Sequence, residues 1–136
     1  MNRHYSEVAD RAGHRCEYCH APEAIFNFPF EVEHITPTSR KGPDDESNLA
    51  LACRSCNLHK SNAQSKTDEV TGTKVELFHP RKDRWSEHFQ ADSESGEIRA
   101  LTPTARVTVD QLRLNSPLQL AARRMWLRLG IYSQRN

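Results

Sequence analysis

The chain has 136 residues, a formal net charge of +1 and 36% hydrophobic residues, with a mean hydropathy of −0.80. That length suits one domain, or a small core with an extension, whose modest apolar burial a metal staple would reinforce. The near-neutral balance excludes overall nucleic-acid-like basicity; no stretch is apolar enough to span a bilayer and Met1-Asn2-Arg3-His4 lacks a signal-peptide core, so a soluble, cytoplasmic protein without disulfides is expected.

In chain order, residues 5–13 read as a short helix, with Val8 and Ala12 on one face and Gly13 able to end it. Cys16-Glu17-Tyr18-Cys19 is a tight turn. Alternation of Phe26, Phe28 and Phe30, then of Val32 and His34, predicts a strand or hairpin arm over 26–35. Pro37, Gly42, Pro43 and two aspartates punctuate a loop over 36–47. The apolar run 49–52 is the predicted second strand, and a helix carrying Asn57, Leu58, Lys60 and Ser61 should follow Cys53. The polar stretch 61–73 reads as a connector. Short strands are predicted over 75–78, 85–89, 98–101 and 107–109. A final helix covers 117–129, with Pro near its start, Gly130 behind it and an apolar stripe of Leu118, Ala121, Ala122, Met125 and Leu129. The expected organisation is a core over 1–66 and an extension of short strands and a terminal helix over 67–136, packed on that core.

All four cysteines fall in two Cys-x-x-Cys pairs, Cys16/Cys19 and Cys53/Cys56. Two intervening residues let both sulfurs of a turn reach one ion, and two such turns complete a tetrahedral Zn²⁺ shell. In a cytoplasmic chain this favours structural zinc over a disulfide or redox role. His14 and His20 flank the first pair, but four thiolates make them unnecessary as ligands. Between the pairs stand Glu33, His34 and Asn48, and Asn57 follows Cys56. A carboxylate beside an imidazole, with two later asparagines, suits binding of a hard cation and activation of water. Imidazole titrates near neutral pH, so His34 can accept a proton without special tuning. Oxygen donors from Glu33 and Asn57 favour Mg²⁺ or Mn²⁺. Lys60 and Arg54 are candidate point-charge contacts to a DNA backbone.

The series Glu33-His34-Ile35-x-Pro37, then Asn48-Leu49, then Cys53-x-x-Cys56-Asn57-x-x-Lys60 resembles the HNH endonucleases, in particular their zinc-knuckle-containing bacterial members. Five elements in the right order carry the resemblance. It implies an α+β fold with a ββα-metal (His-Me finger) core, two antiparallel strands and a helix gripping one divalent cation, here stapled by the four-cysteine zinc site. It also implies His34 as general base, Glu33 as the metal-binding acid, Asn57 as the last metal ligand and Asn48 as the residue that pins the loop and orients the base. Asn57 stands where the family's name has a final histidine, and Glu33 where many members have aspartate or histidine. The implied activity is hydrolysis of DNA phosphodiester bonds, with RNA as another possible substrate. The rival is a catalytically silent zinc module that binds nucleic acid or protein. The nuclease reading requires His34 and Asn57 to face a shared cavity, apart from the zinc.

Overall fold

A computed structural model describes residues 1–134 as a mixed helix and strand fold with small two-stranded sheets. Helix α1 (Tyr5–Arg11) places Glu7 in its first turn and Arg11 in its last, matching the helix dipole, and buries Val8 and Ala9. Gly13, at φ 64°, takes the chain out through the left-handed region. After the first cysteine turn, strand β1 (Glu31–His34) pairs antiparallel with β2 (Leu49–Ala52), setting Glu33 opposite Ala50 and His34 opposite Leu49. Helix α2 (Arg54–Lys60) follows at once, with the Cys53 sulfur accepting at its N-terminus from the Cys56 N–H.

Side chains alternate along a strand, so this hairpin has two unlike faces. One presents Glu31, Glu33, Ala50 and Ala52; the small alanines let α2 approach, and Glu31 and Glu33 bond to it. The other presents Val32, His34, Leu49 and Leu51 toward α1, whose Arg11 Nη2 donates to the Leu49 carbonyl at 2.6 Å. The outer side of β2 is occupied by Glu17, whose N–H donates to the Leu51 carbonyl at 2.8 Å. Among the described residues, no strand pairs with the outer side of β1.

The remainder of the chain forms β3 (Ser65–Thr67) paired with β4 (Lys74–Glu76), α3 (Trp85–His88), β5 (Phe89–Ala91) paired with β6 (Ile98–Ala100), α4 (Pro103–Leu112) and α5 (Pro117–Arg128). Buried residues from both ends of the chain make one hydrophobic core. Polar contacts anchor the two parts: Trp85 Nε1 donates to the Tyr18 carbonyl at 2.9 Å, Tyr132 Oη to the Cys19 carbonyl at 2.8 Å and Gln111 Nε2 to the His59 carbonyl at 2.8 Å. No helix among the described residues is long and apolar enough to cross a membrane.

Several sequence expectations give way. The Phe26–Phe28–Phe30 alternation is not a strand: residues Glu23–Phe26 form a 3₁₀ turn, Asn27 sits at φ 54°, and only Phe30 of the three is buried. The connector over 61–73 contains β3, and 85–89 begins as one helical turn. Residues 107–109 lie inside α4, because Thr102 Oγ1 caps the Ala105 N–H at 3.1 Å and Pro103 opens the helix, overriding the strand preference of Val107 and Val109. The apolar stripe expected for α5 is only partly turned inward: Ala122 packs against the core, but Leu118, Met125 and Leu129 are exposed, whereas Arg123 and Trp126 are buried.

Candidate metal centre and active site

The two cysteine turns meet in the core. Their four sulfurs lie within 4.8 Å of one another, all buried. Cys19 Sγ and Cys53 Sγ are 3.7 Å apart, far beyond the roughly 2.05 Å of a disulfide. Tetrahedral zinc with Zn–S near 2.3 Å needs sulfur separations of about 3.8 Å, so the cluster fits that ion. The backbone N–H groups of Cys19 and Cys56 each face the preceding cysteine sulfur at 3.5 Å. Hydrogen bonds with Cys16, Cys53 and Cys56 hold the Cys19 thiol low, while those with Cys16 and Cys19 hold Cys53 and Cys56 high. Full ionisation therefore needs a cation to take up the charge. Neither nearby histidine competes as a ligand: His14 bonds to Glu23 and Asp10, and His20 stacks on Trp85 with ring centroids 4.0 Å apart.

On the α2 face, three oxygen-bearing residues come together. Asn57 Nδ2 donates to Glu31 Oε1, and Arg54 Nη1 lies 3.3 Å from Glu31 Oε2. Glu33 is only 4% exposed, and both its oxygens are engaged. Tyr18 Oη donates to Oε1, and Lys60 Nζ donates to Oε2 at 3.0 Å. Burial pushes the Glu33 carboxyl up, opposed mainly by the Lys60 ammonium. Lys60 also donates to the Ile35 carbonyl at 3.0 Å and is 1% exposed. The expectation that Lys60 touches a phosphate is therefore corrected: its position one turn beyond Asn57 puts it on the buried side of α2, where it neutralises Glu33. Arg54, with a side chain 74% exposed, keeps access to solvent. Glu31 was missed from the sequence, although its place two residues before Glu33 puts it on the same strand face.

His34 lies on the opposite face. Its Nε2 is 3.0 Å from Asp44 Oδ1. Asn48, 4% exposed, closes the intervening loop: Oδ1 accepts from Thr36 N–H at 2.8 Å, while Nδ2 donates to the carbonyls of Thr36 and Pro43, each at 2.9 Å. The structure thus gathers Glu31, Glu33 and Asn57 on one side of β1, and His34 with Asp44 on the other. The expectation that His34 and Asn57 face a shared cavity is therefore not met: strand alternation sends His34 and the Glu31 that holds Asn57 to opposite faces of β1. His59 places its Nδ1 3.4 Å from Ser55 Oγ.

No curated protein and no solved structure matches the chain. A family model described as HNH endonuclease matches residues 16–63, which include all four clustered cysteines, the β1–β2 hairpin and α2. Residues 16–63 are thus similar to an HNH endonuclease domain, and the same segment carries a four-cysteine cluster able to hold a metal ion.

Proposed function

We propose that this chain hydrolyses DNA phosphodiester bonds, with His34 as the general base that deprotonates the attacking water. The observation that supports this best is the position of His34: it ends the strand of the cysteine-clamped hairpin, with its side chain 24% exposed. A phosphodiester laid along the open edge of β1 would have His34 on one side and the Asn57–Glu31 oxygens on the other. Neutral imidazole accepts the proton, and Asn48 keeps the loop beside it closed. Asn57 and Glu31 offer hard oxygen donors suited to Mg²⁺ or Mn²⁺, and Glu33 joins them if it releases Tyr18 or Lys60. When bound, such a cation would neutralise charge on the phosphorane and the departing 3′ oxygen. Arg54 would contact a neighbouring phosphate, a role its exposed side chain supports.

The engagement of both Glu33 oxygens favours a second reading, a non-catalytic zinc module that binds nucleic acid or protein. A plasmid-nicking assay with added Mg²⁺ or Mn²⁺ separates the two. The parent should convert supercoiled to open-circular DNA, and His34→Ala should lose about 10²–10⁴-fold in rate with its zinc content and circular dichroism unchanged. Equal cutting by His34→Ala would remove the base assignment; no cutting by the zinc-loaded parent with either ion would favour the binding module.

A further inference from the structure

Among the described residues, Asp44 is the one carboxylate bonded to His34, and a second set of residues holds it there. Its Oδ1 faces His34 Nε2 at 3.0 Å, while its Oδ2 faces Arg3 Nη2 at 3.1 Å and His4 Nε2 at 3.5 Å. His4 Nε2 is buried and has no hydrogen-bond partner among the described residues, and the Asp44 carboxylate lies against it. Arg3 and His4 precede the segment matched by the family model, so this contribution comes from the chain outside that segment.

The hydrogen bonds from His34 and Arg3 hold the Asp44 carboxyl below its ordinary value. An ionised carboxylate only accepts, so the proton of this contact belongs to His34 Nε2. Neutral imidazole carries a single N–H, which leaves the Nδ1 lone pair to receive a proton. That nitrogen makes no hydrogen bond among the described residues. The loop that carries Asp44 is itself fixed by the three Asn48 bonds.

We propose that Asp44 is a positioning residue for His34, held by Arg3 and His4, that fixes the imidazole as its Nε2–H tautomer and reserves Nδ1 as the acceptor. The catalytic consequence rests on the nuclease reading above; the tautomer does not. Partners of this kind that orient a functional histidine are typically worth about 10–100-fold in activity.

The test reads both levels. Long-range ¹H–¹⁵N NMR of the zinc-loaded full chain, above the pH at which His34 protonates, should show a protonated Nε2 and an unprotonated Nδ1 for His34. Asp44→Ala should average the two signals, and Asp44→Asn, which keeps an acceptor oxygen, should preserve them. In nicking assays Asp44→Ala should lower kcat about 10–100-fold with little change in KM, Asp44→Asn should recover most of the loss, and Arg3→Ala and His4→Ala should each cost less than Asp44→Ala. An unchanged His34 signature in Asp44→Ala overturns the proposal. So does an Nδ1–H signature in the parent, and Asp44→Asn answers the same question should the alanine variant not fold. A parent with the expected tautomer that cuts no DNA would defeat the nuclease reading while leaving the positioning role intact.

Discussion

The two faces of the β1–β2 hairpin hold charge in opposite ways. Toward α2, Glu33 and Lys60 form an ion pair with side chains each 2% exposed, and Tyr18 completes the set. Toward α1, His34 and Asp44 form a pair with side chains 24% and 48% exposed, and Arg3 reaches them from the surface. Glu33 and His34 are chain neighbours, yet strand alternation sends one into the core and leaves the other open to solvent. A buried pair contributes specificity and is costly to break from one side; an open pair contributes little stability and is free to react.

The sharpest way to break the contrast is at the metal clamp that both faces share. Cys53→Ala should lose zinc and unfold, because binding free energies of order 10 kcal/mol are spent on folding at such sites. Metal analysis and circular dichroism check this, and a folded, zinc-replete Cys53→Ala protein would contradict the clamp. Next in size is Lys60→Met, which leaves Glu33 buried and unpaired and should cost about 3–5 kcal/mol in urea unfolding. The double variant Lys60→Met with Glu33→Leu should regain much of that stability. On the open face, His34→Ala should change stability by less than about 1 kcal/mol while lowering the nicking rate about 10²–10⁴-fold. If Lys60→Met proved as mild as His34→Ala, the faces would not differ as described. Arg54→Ala should leave stability unchanged and lower the slope of log K against log salt for DNA binding by about one.

The smallest effect lies away from the hairpin. Arg106 Nε and Nη2 donate to the two Asp68 oxygens at 3.1 and 2.8 Å and hold that carboxyl well below its ordinary value. A depressed folded value means stabilisation that is complete above the unfolded value, near 4, and fades as pH falls below it. Thermal melts across that acid range should show Asp68→Asn losing less stability on acidification than the parent.

The clamp and the elements around it were legible because their signals are local. Cysteine spacing, the apolar run of β2, Gly13 behind α1 and the proline that opens α5 act within a turn or two of the residues they govern. The reading of 107–109 as a strand failed where Thr102 and Pro103 outweighed β-branched side chains. The apolar stripe of α5 misled because Arg123 is buried by tertiary partners, donating to the Gly96 and Leu114 carbonyls at 2.7 and 2.8 Å. In the candidate site, His34, Asn48 and Asn57 stand out by residue type and order, and Lys60 was misplaced by reading its charge without its helical phase. Asp44, Arg3 and His4 gave no signal, since their approach to His34 depends on how a loop and a distant helix end close in space.

Gly42 sets the terms of that closure. A methyl group there would lie 1.8 Å from the Thr36 carbonyl oxygen and 2.8 Å from Asn48 Nδ2, so even the smallest side chain must push the loop outward. Asp44 is only two residues away, which makes this hydrogen atom a spacer for the reach of one carboxylate. Substitution at position 42 would thus act on His34 from a distance, shifting its carboxylate partner while leaving every polar group there chemically intact.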